Sequence, residues 1–163
     1  MAESISIDAL EDIGYTTDLC KKVLQIADPD LREIIQRDLL ECAIAVVASQ
    51  DKLATIMCGS IVEALLMQRI VERGFSKYDI SAISKSKKAS SYPVPEMGLN
   101  ELLYVADKEN ILNKNSYHLG HYIRDYRNIV HPAKEIRMKE NVSHENVTTM
   151  WSVLCRLIWD LFP

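Results

Sequence analysis

Glycine and proline are scarce in this chain, with 5 of each among 163 residues, and they are bunched rather than scattered. An all-β fold needs a turn signal every few residues, so that class is excluded. An excess of positive charge is also missing. Lys and Arg number 19 against 23 Asp and Glu, a formal net charge of -4. A globally basic nucleic-acid binder is excluded, while a local basic patch is not. The four cysteines, Cys20, Cys42, Cys58 and Cys155, form no CxxC pair. Each has apolar neighbours, which predicts reduced, buried thiols rather than a disulfide framework or a metal site. Long apolar runs are missing too. The longest uncharged apolar run, residues 42–48, is far short of a bilayer span. Residues 1–10 carry Glu3 and Asp8 and lack the apolar core of a signal peptide. These absences predict one cytoplasmic domain over residues 1–163, with no membrane association.

What is present is helical periodicity. Residues 8–27 read as a first helix, with a separable part before Gly14, broken at Asp28-Pro29. Asp30 is placed as the cap of a second helix running to about Gln50, with the stripe Leu31, Ile35, Leu39, Cys42 and Val46. Residues 52–73 are apolar on most sides, which predicts a central buried helix ending at Gly74. Gly59 and Ser60 within it suggest close helix–helix approach. Residues 75–98 are rich in Ser, Lys and Pro and read as a long loop. Residues 99–112 form a short helix, a further helix opens at Asn115 or Ser116 and is stopped by Pro132, and Ser143 begins the last. Val147, Met150, Trp151, Leu154, Leu157, Ile158 and Leu161 give that last helix a clean apolar face, with Trp159 beside it. The sum is an all-α bundle of four to six helices.

Charge is unevenly spread. Residues 1–74 hold 7 basic and 13 acidic groups, the loop at 75–98 holds 4 and 2, and residues 99–163 hold 8 of each. Lys85, Lys87 and Lys88 in the loop are candidate contacts to a phosphate backbone.

The chemistry concentrates in residues 117–132, YHLGHYIRDYRNIVHP. On a wheel of 100° per residue with Arg124 at zero, Leu119, Tyr122, Ile123, Tyr126, Ile129 and Val130 fall between about 140° and 260°, the expected core face. Tyr117, Gly120, His121, Arg127, Asn128 and His131 lie within about 60° of Arg124. Two cations and two imidazoles on one ridge suit an anion, and a phosphodiester is the obvious one. His131, placed at a helix C-terminus, would feel a macrodipole that favours imidazolium. A titrating His beside a fixed Arg can cleave RNA without a metal or any cofactor. The His moves protons at the 2′-hydroxyl or the leaving 5′-oxygen, and the Arg stabilises charge on phosphorus. The same ridge is equally readable as a seam for a partner or as a solvated surface.

RDYRNIVHP, residues 124–132, resembles the signature of HEPN-domain proteins: an Arg followed by a polar residue, then four to six residues, then a His. Arg124, Asp125 and His131 fit with six intervening residues, and Asn128 falls in an RN-x-x-HP phrase. Residues 59–66 and 98–112 are similar to the family's central helix and the helix before its motif. The resemblance implies an up-and-down bundle and a homodimer in which the Arg–His pairs of two subunits face each other. It implies a metal-independent endoribonuclease of toxin–antitoxin or defence type, leaving 2′,3′-cyclic phosphate ends, with RNA as substrate and an antitoxin protein as partner. In that reading Arg124 and His131 are catalytic. Asp125, Asn128 and Arg127 support them, and Tyr117, His121, Lys85, Lys87 and Lys88 contact RNA. The alternative is a non-catalytic HEPN-like dimerisation or interaction module.

Overall fold

The computed structural model describes residues 5–138 and 141–163, and within these the chain is all-α apart from one two-residue strand pair. The helices are α1 (Ile7–Asp12), α2 (Thr17–Val23), α3 (Pro29–Val47), α4 (Asp51–Glu72), α5 (Leu99–Lys108), α6 (Lys114–Ile129), α7 (Pro132–Met138) and α8 (His144–Leu161).

Their starts follow from capping chemistry, and several lie a little away from the sequence reading. α3 is capped by Asp28, not Asp30. The Asp28 carboxylate accepts from the backbone N–H groups of Asp30 and Leu31 at 2.9 and 3.0 Å. Pro29 is thus the first helical residue, where its missing N–H costs nothing. The same logic moves the start of α6 to Lys114, because Asn113 caps it through the Ser116 N–H at 2.9 Å. It also explains α7, which the sequence reading lacked. Pro132 ends α6 but stands at the first position of a new helix, with the His131 carbonyl accepting from Lys134 and Glu135. α8 opens as expected at Ser143, in a reciprocal capping box with Asn146. α4 stops before Gly74, whose φ of +92° is left-handed backbone that glycine adopts without a Cβ penalty.

α4 is the hub: it packs against α3, α5, α6 and α8. By length and hydropathy alone it could cross a membrane, yet half of its most apolar window is buried inside this bundle. Ala54, Cys58, Ile61, Val62, Leu65, Leu66 and Ile70 make its buried side. The expectation of burial all round does not hold, however. Leu53, Ile56 and Val71 are 47%, 42% and 45% exposed, so one apolar stripe is left open.

The stripe expected on α8 is buried in full, and that expected on α3 is buried except for half-exposed Leu31. The tryptophans separate. Trp151 is fully buried and its indole N–H donates to the Ile13 carbonyl at 2.7 Å, fastening the turn between α1 and α2 onto α8. Trp159 is 43% exposed, with the Lys22 ammonium 4.7 Å from its ring centroid. Cys42 and Cys58 are buried with their sulfurs 3.6 Å apart; all four cysteines are free thiols. The Cys58 thiol is pushed up by the Cys42 contact and by burial, so it is a packing group rather than a nucleophile.

The 75–98 segment is more ordered in outline than a plain loop. Lys77–Tyr78 pairs antiparallel with Tyr92–Pro93, and two 3₁₀ turns, Ala89–Ser91 and Val94–Glu96, flank the second strand. Aromatic side chains suit a pleated, half-buried surface, which is why this Pro-rich stretch still pairs. Ile80 and Ala89 close the tip with an N–H···O bond of 2.7 Å, leaving Lys85, Lys87 and Lys88 exposed on it.

Candidate functional site

α6 packs on α4, α5 and α8, and small or slender groups let it approach closely. Ser116 is buried and its hydroxyl bonds Asp160 of α8. A Cβ on Gly120 would collide with the Leu103 side chain of α5, so glycine is what allows that helix pair to close. The most buried positions of α6 are Ser116, Gly120, Ile123 and Val130. This side is rotated away from the face the wheel assigned to the core, where Leu119, Tyr122, Tyr126 and Ile129 are only half-buried. Gly120 and Arg127, assigned to the polar ridge, instead face neighbouring helices. Aromatic and aliphatic bulk marks where a helix is apolar, but small residues mark where it comes closest.

Arg127 shows what this does for the site. Its aliphatic stem lies directly over Gly59 of α4, in the space a Cβ would fill, and its guanidinium pairs with Glu63 one turn on. Close approach is therefore the correct reading of Gly59, with an arginine side chain rather than a helix backbone as the neighbour. Gly59→Ala is expected to unseat Arg127. The helix gains as much as ~1 kcal/mol of intrinsic propensity, so thermal stability should stay near wild type. The Arg127–Glu63 ion pair should be lost, as it is in Arg127→Ala. Paired melting curves and amide exchange along α6 check this; a variant with α6 exchange unchanged would show that Arg127 keeps its seat.

Arg124 is held from two sides. Its Nε and Nη2 donate to Asp125 at 3.0 and 2.6 Å, and its Nη1 donates to Asn100 of α5 at 2.5 Å. A guanidinium has five N–H groups; these three bonds leave two for a ligand. The cleft that results has a volume of about 440 Å³ and is lined by Glu63, Arg124, Arg127, Asn128, His131 and the first turn of α5 from Gly98 to Glu101. Gly98 is the N-cap of α5 and offers no side-chain acceptor, so the first-turn N–H groups and the positive end of the helix dipole open on this cleft. The Glu101 carboxylate lies back toward Gly98, an internal anion at the same helix end.

His131 is exposed and, like Asn128, makes no side-chain hydrogen bond among the described residues. It does not end a helix in isolation, as the sequence reading had it. α6 is capped at Val130 and α7 starts at Pro132, so His131 stands at the joint where the negative end of one helix meets the positive end of the next.

The structure thus brings together Arg124, Arg127, Asn128 and His131, and adds Asn100, Glu63 and Glu101, which no local motif indicates. Their only sequence signal is proximity to a buried stripe. Asp125 is exposed beside the cleft and acts through Arg124. Tyr117 and His121 sit further toward the start of α6, outside the cleft, stacked edge to face with ring centroids 4.6 Å apart. Burial and the nearby Arg124 charge hold the His121 imidazole below the usual histidine range, and its buried Nε2 has no hydrogen-bond partner among the described residues. A neutral imidazole here keeps the ridge from carrying two adjacent positive charges next to Arg124. Lys85, Lys87 and Lys88 are not in the cleft. No protein-family model, curated protein or solved structure matches this chain.

Proposed function

We propose that this chain is a HEPN-like, metal-independent endoribonuclease of toxin or defence type. The observation that carries the reading is the convergence of Arg124, Arg127, Asn128 and His131 with the open first turn of α5 in one cleft. Every free polar group there, except the flanking carboxylates, suits a phosphodiester. In the reaction the 2′-oxygen attacks the adjacent phosphorus, the bond from phosphorus to the 5′-oxygen breaks, and a 2′,3′-cyclic phosphate remains. His131 moves a proton, either from the 2′-hydroxyl or to the leaving 5′-oxygen. The two uncommitted N–H groups of Arg124, with the α5 amides, stabilise charge gathering on the non-bridging oxygens. Asp125 and Asn100 fix the guanidinium, and Arg127, braced by Glu63, adds positive potential. The test is incubation of a structured RNA such as tRNA with the wild-type protein in EDTA, followed by analysis of the ends. Cyclic phosphate termini support the reading; intact RNA under all conditions overturns it.

One histidine per cleft supplies one proton transfer, whereas the reaction needs a base and an acid. The open stripe of α4 suggests the source of the second. Exposed Leu53, Ser60 and Val71, with half-buried Met57, Ala64 and Met67 between them, follow steps of four and three, the spacing of a helix–helix seam. Glu63 stands about 80° around the helix from its centre, so one flank of α4 faces the cleft and the next carries the stripe. A second copy seated on α4 would set two Arg124–His131 pairs side by side. Light scattering is expected to return twice the 18.6 kDa of one chain for the wild type, and a single chain for Met67→Lys, which should also lose cleavage. A wild-type monomer that cuts RNA would sink this arrangement. The acidic chain and the exposed stripe also fit the non-catalytic alternative, in which the same homodimer forms and the ridge serves a protein partner such as an antitoxin.

A further inference from the structure

A second cleft, of about 520 Å³, lies between the 75–98 segment and α5, and nothing in the reading above uses it. Its walls carry three aromatic rings, Phe75, Tyr78 and Tyr104, with the ammonium groups of Lys77 and Lys108, the single carboxylate of Asp79, and hydroxyls from Ser90 and Ser91. Phe75 and Tyr78 pack edge to face at 5.6 Å, and the Tyr78 hydroxyl is tied to Glu109, so this aromatic wall is braced. Lys108 is exposed, with its ammonium 5.6 Å from the Tyr104 ring centroid. A surface cation resting on a ring has only a weak partner, which a phosphate would outcompete. Aromatic rings with flanking lysines are the chemistry that holds an unstacked base and its phosphate.

The placement of this cleft matters more than its contents. Asn100, which holds Arg124, lines the first cleft, while Tyr104 and Lys108 line the second. The three are spaced by four residues on α5 and share one face of that helix. At 1.5 Å per residue, Tyr104 and Lys108 lie about 6 and 12 Å along the axis from Asn100, or roughly two to four nucleotides at the 3.4 Å rise of a stacked strand. Beyond the second cleft, the wall residues Ser81, Ala82 and Ser90 lead into the loop tip that bears Lys85, Lys87 and Lys88.

We infer that the Phe75–Tyr78–Tyr104 cleft is a subsite for an unpaired nucleotide of a single-stranded RNA whose scissile phosphate lies against Arg124 and His131, α5 serving as the track between them. The inference rests on the nuclease reading for the position of the scissile phosphate, but the binding it asserts can be measured without cleavage. The probe is a fluorescein-labelled single-stranded RNA eight-mer of mixed sequence, fully 2′-O-methylated so that it cannot be cut, followed by anisotropy. Tyr104→Ala is expected to weaken binding by about 5- to 150-fold, the loss of one base stack. Lys108→Glu, at an exposed position, should weaken it as well and flatten the salt dependence by about 0.7 in log–log slope. Equal binding by wild type, Tyr104→Ala and Lys108→Glu, or no binding by any, overturns the subsite even if the wild type cleaves tRNA. Weakened binding in the two variants, with no RNA cut by the wild type, keeps the subsite and removes the nuclease reading.

Discussion

His131→Ala is expected to lower RNA cleavage by about 10²- to 10⁴-fold, the usual contribution of one positioned acid–base group, and to leave the fold untouched. The side chain is exposed and makes no hydrogen bond among the described residues, so its removal opens no cavity and orphans no partner. Surface changes of that kind stay within about 0.5 kcal/mol. Arg124→Ala should cost a comparable factor of about 10²–10³ in cleavage, but for a different reason and with a different accompaniment. It deprives Asn100 and Asp125 of their shared partner, so the first turn of α5 should loosen where His131→Ala leaves it intact. Amide exchange at Asn100 and Glu101 separates the two cases. If His131→Ala cuts tRNA at the wild-type rate in EDTA, His131 has no part in the chemistry, and the cleft would stand as a binding surface only.

Trp151→Ala carries the largest expected loss of stability, about 3–5 kcal/mol for emptying a fully buried aromatic site. Against a total of about 5–15 kcal/mol for a domain, that is enough to lower the thermal midpoint by roughly 10–15 °C. Two losses combine. The indole is buried from solvent among the core residues of α8, and its N–H is the donor that holds the Ile13 carbonyl between α1 and α2. The N-terminal helices should therefore detach first, visible as early exchange of the α2 amides. Trp151→Phe retains most of the volume and loses only the hydrogen bond, so it should fall between the two. Trp159→Ala is the contrast: half-exposed and touched by Lys22, it should cost no more than about 0.5 kcal/mol of stability. Equal losses at both tryptophans would contradict the assignment of Trp151 as the pin of the N-terminal arm.

The contrast between these residues shows what is legible in sequence and what is not. Periodicity over 143–161 marks a helix because an apolar face must be buried, and α8 buries the stripe its spacing displays; the helix read over 99–112 ends sooner, at Lys108. Capping residues were harder to assign, since Asp28 and Asp30 both have the right chemistry and only the backbone geometry chooses between them. α7 was illegible because a proline after a helix reads as a stop, and the sequence does not say that it also starts the next element.

The site divides in the same way. The sequence by itself determined that Arg124 and Asn128 share one side of one helix, because that follows from 3.6 residues per turn and nothing else, while His131, placed on the same helix by that reasoning, lies just beyond its end. It also determined the all-α class, through the scarcity of turn residues and the 3.6-residue spacing of apolar groups. Only the tertiary structure decided that Arg127 turns inward to Glu63 over Gly59, that Asn100 and Asp125 grip Arg124, and that the uncapped start of α5 completes the cleft. It also decided that one face of α4 stays open. Those facts depend on which helices lie side by side and at what rotation. A helix's own sequence fixes the angles between its residues, but its rotation against a neighbour is set by where glycine and serine let two helices close, and that is a property of the pair.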